Sequence, residues 1–289
     1  TEMAELKDVG AVAVTDDGKD IQNSHVMRKV MEYAKMVDLP YMAHCEDHTL
    51  VMGGSMNEGY NSTRLGIPGI PKAVEEIMVE RNARLAELTG AHLHVQHITT
   101  AGGVEILKRY KARGVRITGE ASPHHITLTD DAIEKYDTNA KMNPPLREQS
   151  DIEAIKAGIK DGTIDIIATD HAPHAPAEKD VEFALAPFGI IGLETSLGIV
   201  LTQLVDQDII SIERAIEMMT VSGAKIINVD AGTLREGGPA DICIFNPKEE
   251  WTVDKENTQS NSRNTPFHGM KLRGVIKKTI CDGEVVFGG

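Results

Sequence analysis

This sequence is short of aromatic residues, of cysteine and of positive charge. Phe, Trp and Tyr make up 4% of its 289 residues. Its three cysteines, Cys45, Cys243 and Cys281, lie far apart with no C-x-x-C spacing, which excludes a disulfide framework and a zinc–thiolate site. Such cysteine use suits a reducing, cytoplasmic setting. The formal net charge of −14, without clustered Lys or Arg, argues against broad binding to nucleic acid or an anionic membrane, so the expected substrate is small. No apolar run approaches the ~20 residues of a membrane span, and the amino end carries no signal-peptide pattern. There is also no G-x-G-x-x-G and no G-x-x-x-x-G-K-[ST] at any strand–helix junction, which removes the phosphate-cradling fingerprint of nucleotide-binding sheets.

What the chain has instead is a recurring unit: an apolar run, a polar or glycine-bearing turn, then a helical stretch. Five such runs are "VGAVAVTDDG" (9–18), "PYMAHCED" (40–47), "AHLHVQHITT" (91–100), "VRITGEASPHH" (115–125) and "TIDIIATDHAPH" (163–174). Helical patterns occupy 24–38, 70–90, 102–114 and 149–162, with further helices around 189–205 and 211–224. Strand–helix alternation predicts a parallel sheet, and without the nucleotide fingerprint a (β/α) barrel is the better expectation. From about Gly232 the pattern changes to short β-like runs (240–247, 249–254, 274–287) with an Asp282-Gly283 hairpin signal, so a barrel portion over 1–230 and a small β-module over 231–289 are expected. The polar stretch 254–264 reads as linker-like.

The chemistry gathers at the strand ends. "IIATDHAPH" (166–174) breaks from an apolar run into Asp170, His171 and His174, and the other runs end at Asp16 and Asp17, at His44 and at His97. A buried carboxylate without a partner costs several kcal/mol, so it marks a cation or a charged hydrogen-bond partner. The carboxyl rim of a barrel is where such groups converge, and two imidazoles with two carboxylates suit Zn2+ or a similar borderline cation in an open, hydrolytic site. Each residue alone has a plainer reading. Asp16 and Asp17 suit turn caps, Cys45 suits packing, and His25, His92, His94 and His268 suit ordinary structural histidines. His124 and His125 fit either a ligand role or a shaped turn. The joint occurrence of Asp17, His44, His97 and Asp170 on four strands is what selects the metal reading.

"TDDG", "AHCED", "HVQHITT", "ITGEASPHH", "KMNPPLR" and "ATDHAPH", followed by "APFGI" (186–190), "GTLREGGPADICIF" (232–245) and "NTPFHG" (264–269), resemble the class I bacterial-type dihydroorotases of the amidohydrolase superfamily in order and spacing. The resemblance implies an α/β fold, an amidohydrolase-type (β/α)8 barrel beside a small β-sandwich, and zinc-dependent interconversion of N-carbamoyl-aspartate and dihydroorotate in pyrimidine biosynthesis. It implies Asp17 as the acidic, bridging metal ligand, His44 and His97 as ligands of one metal, and Asp170 as ligand of the other and proton shuttle. Asn143, His174 and the backbone around Pro187 and Gly189 are implied to hold the ring. The family's His-x-His-x-Arg motif has no counterpart here, since the only His-x-His, "HLH" (92–94), lies inside a strand and lacks the arginine. By the family's order the runs correspond to strands four to eight, so the chain is expected to be a fragment holding at most one cation near Asp17, His44 and His97, with impaired activity alone. Expected partners are a homodimer mate, an amino-terminal half, or the aspartate carbamoyltransferase that precedes this step. Other cyclic amidohydrolases (hydantoinase, dihydropyrimidinase, allantoinase) and a non-catalytic dihydroorotase-like subunit remain the alternatives.

Overall fold

All five apolar runs become strands, and they lie side by side in chain order. The computed structural model describes residues 1–288. In it β1 (Val14–Thr15), β2 (Tyr41–Ala43), β3 (Leu93–Val95), β4 (Ile117–Ala121) and β5 (Ile166–Ile167) form one parallel sheet in that spatial order. The register runs Val14 opposite Tyr41, Tyr41 opposite Leu93, Leu93 opposite Ile117 and Glu120 opposite Ile166. Unbroken sequential order with a helical crossover after each strand is the arrangement of a (β/α) barrel wall, here an arc of five strands. Continued past the strand ends, this register sets Asp17 level with His44 and within one residue of His97, and sets Asp170 level with His124, three residues farther along.

The crossover helices start and stop where their caps dictate. Helix α1 (Ser24–Met36) is opened by Asn23, whose side chain accepts from the N–H groups of His25 and Val26, and it buries Met27, Met31 and Ala34. Helix α2 (Ala73–Thr89) ends at Gly90, left-handed at φ 70°, a conformation that costs glycine little. Helix α3 (Ala101–Ala112) is capped by the Thr100 hydroxyl, and α4 (Gln149–Asp161) stops at Gly162. Their apolar stripes meet Tyr41, Leu93, Ile98, Leu107 and Ile126 in one core. Helix α5 (Ser196–Val200) runs on as a π-helical turn over Leu201–Val205, and α6 (Ile212–Met219) and α7 (Val221–Ile226) follow. Among the described residues, no helix is long and apolar enough to cross a membrane.

The tail is a three-stranded antiparallel sheet of β6 (Ile242–Thr252), β7 (Lys271–Cys281) and β8 (Glu284–Phe287). Asp282 and Gly283 are both left-handed, as a two-residue hairpin turn requires. The two runs expected at 240–247 and 249–254 are one strand, whose register slips between Asn246 and Glu250 where Pro247 has no N–H to give the ladder. The sheet docks on α5 through small residues: a Cβ at Gly198 would meet Leu272 at 3.1 Å. The stretch 254–264 is not a free linker. It forms a short helical turn at Lys255–Asn257, gives the Gln259 and Ser260 N–H groups to the Glu194 carboxylate, and ends in the buried Asn264.

Candidate metal centre

Three of the four expected ligands meet. Asp17 follows β1, His44 follows β2 and His97 follows β3, so the parallel register brings them to one corner of the rim. His44 Nδ1 lies 3.0 Å from His97 Nε2 and 3.5 Å from Asp17 Oδ1, and the remaining edge, His97 Nε2 to Asp17 Oδ1, is 3.7 Å. A tetrahedral ion bound at about 2.0–2.1 Å needs ligand–ligand edges of about 3.3–3.4 Å, which these three distances bracket. The donor set therefore fits a zinc-like ion. Both imidazoles are buried, whereas Asp17 is half exposed, leaving one open side. The charges agree. Burial by itself would depress His44, but the carboxylates of Asp17 and Glu46 outweigh it and push its pKa up to about 10. The two imidazoles hold Asp17 well below the usual carboxylate range. This corner attracts a positive charge, whether proton or cation.

A second set of carboxylates holds the backbone that carries these ligands. Asp16 Oδ1 accepts the His44 N–H at 3.1 Å, and Glu120 Oε1, from β4, accepts the His97 N–H at 3.2 Å. Glu120 is itself bonded through Oε2 to His94 Nε2 at 2.9 Å, which keeps it ionised although it is buried. His92 and His94 both bond the Thr118 hydroxyl, and Cys45 is packed in the core, so these three have the structural roles their sequence context suggested. His97 has φ 31° and Asp170 φ 48°, left-handed values rare in residues with a Cβ, and such strain collects at functional sites. Glu46, beyond the "AHC" turn, faces the second nitrogen of His44 at 3.6 Å, as carboxylates behind a metal-bound imidazole do. Its only sequence signal was its place at a strand end.

Asp170, beyond β5, is not among the three ligand atoms that meet, although it lies near enough to feel the charges of His97, Asp17 and His44. Its Oδ2 faces the buried Nε2 of His124 at 4.0 Å. Burial, with Asp17 and Glu120 adding to it, raises the pKa of Asp170. His124 and His125 are buried and both depressed by burial, His124 to about 3, so they are neutral rings. His171 Nδ1 accepts the Gly192 N–H at 3.1 Å and is occupied there.

The residues expected to hold the ring fall in two places, Asn143 near His44 and the other three in the loop after β5. Asn143 gives its amide N–H to Glu46 beside His44 and keeps a buried Oδ1 with no partner among the described residues. His174, Pro187 and Gly189 come together, but mainly to bond their own scaffold. His174 Nε2 donates to Phe188 O at 2.8 Å, Pro187 O accepts from Lys179 Nζ at 2.7 Å, and the Gly189 N–H goes to Lys141 O at 2.9 Å. These bonds hold the loop in place, since a buried loop must satisfy its own polar groups. Asn264, at the end of the polar stretch 254–264, ties this loop down: it donates to Ala172 O and Gly189 O and accepts the His174 N–H. Lys141 and Lys179 are buried here on carbonyl oxygens, and burial with the neighbouring Lys141 lowers Lys179 to about 8.

Residues 1–286 match the amidohydrolase family. Dihydroorotases from Caldanaerobacter subterraneus subsp. tengcongensis and Geotalea daltonii are 50% and 52% identical to the chain over 285 residues, covering 99% of it and 66% and 67% of their own length. The chain thus spans about two thirds of these relatives. Among solved structures, the L-hydantoinase (dihydropyrimidinase) from Arthrobacter aurescens superposes with a TM-score of 0.87 at 26% identity, over 99% of this chain and 66% of that one. The dihydropyrimidinase from Brevibacillus agri gives 0.87 at 22% identity, over 98% and 65%, a likeness of fold.

Proposed function

This chain belongs to the amidohydrolase family, on its dihydroorotase branch, and we propose that its rim carries the zinc centre for opening and closing the dihydroorotate ring. The observation that carries the reading is the triangle of Asp17 Oδ1, His44 Nδ1 and His97 Nε2, with edges of 3.0, 3.5 and 3.7 Å. Those three residues hold the ion in this reading, and Asp170 approaches it from beyond β5. A bound zinc acidifies water and polarises the ring carbonyl.

The chain's own groups do the rest. As water adds to the ring amide carbon, Asp170 Oδ2 accepts the proton that water loses, and it returns that proton to the ring nitrogen as the C–N bond breaks. The reverse sequence closes N-carbamoyl-aspartate to dihydroorotate with loss of water. A carboxylate raised by burial suits both halves of this exchange. Asn143 offers its Oδ1, which has no partner among the described residues, to a ring N–H. His174, Pro187 and Gly189 contribute a wall of fixed shape. The barrel portion 1–230 holds every residue of this machinery, and 231–289 reaches it through Asn264.

Zinc titration and a dihydroorotate ring-opening assay on the same preparation test the reading. The expected result is one zinc per chain, bound about a thousandfold more weakly in His97→Ala, with ring opening above the protein-free rate that Asp170→Asn lowers about a thousandfold but leaves measurable. No retained zinc, or faster opening of hydantoin or dihydrouracil than of dihydroorotate, overturns it.

A further inference from the structure

The turn Ser122-Pro123-His124-His125 follows β4, and the reaction derived above makes no use of it. Its two imidazoles are buried and packed on each other, with ring centroids 4.2 Å apart at 59°. His125 has a partner: its Nε2 donates to Pro144 O at 2.9 Å and so fixes the turn that presents Asn143. A ring anchored on one nitrogen and packed against its neighbour leaves that neighbour little freedom to turn. His124, held in this way, has a buried Nε2 with no hydrogen-bond partner among the described residues, and the carboxylate oxygen it faces is Asp170 Oδ2 at 4.0 Å. The gap exceeds an N–H···O bond by about 1 Å. Of the two, Asp170 is the one able to close it, since its side chain is 25% exposed and stands on a left-handed residue beyond β5, whereas the ring is enclosed.

We propose that His124 is the positioning residue for Asp170: its Nε2–H bonds Oδ2 and thereby sets the orientation in which the carboxylate meets the reacting atoms. This rests on the reading of Asp170 as the proton carrier. His124 forms no covalent bond and undergoes no net proton transfer; it steers the group that does. The same turn then serves both sides of the site, His125 through the Asn143 turn and His124 through Asp170.

Two measurements on the full chain test this independently. The first is histidine-selective isotope labelling read by NMR, without substrate. We expect His124 to be protonated on Nε2 and its signal to move in Asp170→Asn; protonation on Nδ1, or a signal that Asp170→Asn leaves in place, overturns the proposal. The second is a cycle of His124→Phe and Asp170→Asn, followed by dihydroorotate opening. We expect His124→Phe to lower kcat about 100-fold with KM within about twofold, as a misplaced catalytic group does. His124→Gln, which keeps a neutral donor, should recover about tenfold of that loss, and the double variant should be no slower than Asp170→Asn. Losses that multiply in the double variant, or no recovery by Gln in a variant that melts like the parent, overturn it. If the chain opens no dihydroorotate while the NMR link between His124 and Asp170 holds, the proposed function fails and this contact stands.

Discussion

Two stretches of the same rim treat buried polar groups in opposite ways. Around Asp17, His44 and His97 the polar atoms converge on one another at distances that suit a shared cation, and His44 Nε2 and the nearby Asn143 Oδ1 are left with no hydrogen bond among the described residues. Around His174, Pro187 and Gly189 almost every donor has an acceptor of the protein's own: Asn264 makes three such bonds there, and Lys179 and Lys141 add more. Leaving a buried polar group unpaired costs about 1–3 kcal/mol, so a cluster of them persists where a ligand offsets the loss. The first stretch is built to receive something. The second is built to stay still.

The sharpest way to break the contrast is to remove one ligand from each side. Asp17→Asn or His97→Ala should weaken zinc binding about a thousandfold in a chelator competition, one ligand's share of a site worth roughly 10–16 kcal/mol. Asp17→Asn should leave the melting temperature of the ion-free protein nearly unchanged, because its half-exposed carboxylate adds little to stability. Asn264→Ala should do the converse. It strands the partners of three hydrogen bonds and should cost about 3 kcal/mol in denaturant unfolding, with zinc affinity within about threefold of the parent.

Proton competition sharpens the same contrast with a smaller effect. His44 holds its proton up to about pH 10 when no ion is bound, so zinc must displace that proton at any lower pH. Affinity should therefore rise about tenfold per pH unit between pH 6 and 9, with about one proton released per ion at pH 7 by calorimetry in buffers of different ionisation heat. Affinity independent of pH over that range rejects the assignment. The smallest effect belongs to the static side. Lys179 has its pKa lowered to about 8 in the folded chain, so above that pH the unfolded chain binds the proton more tightly and stability rises with pH until about 10.5. The parent should gain up to about 2 kcal/mol over this window relative to Lys179→Met, which has no proton to lose.

The five strands, their helices and the rim position of Asp17, His44, His97 and Asp170 are all legible in the text, because apolar runs ending in polar residues encode a parallel strand and its mouth locally. The partners of those residues are not. Glu120 and Asp16 hold the backbone N–H groups of His97 and His44 from neighbouring strands, a relation visible only once register is set. Asp170 faces His124 at 4.0 Å because the register of β4 against β5 sets positions 124 and 170 side by side, a relation no local pattern carries. The segment 254–264 reads as a linker because a polar composition looks the same whether water or the fold satisfies it; here Glu194 satisfies part of it, and Asn264 is drawn into the loop below Gly189.

The sequence by itself determined the alternation of strand and helix, the caps that end each helix, and which side chains arrive at the strand ends, since all of these are set by neighbours within a turn or two of chain. Only the tertiary structure decided which of those side chains share a cation-sized gap and which are consumed in holding the loops. That division depends on desolvation and on distances between segments remote in the chain, and neither exists until the sheet has formed.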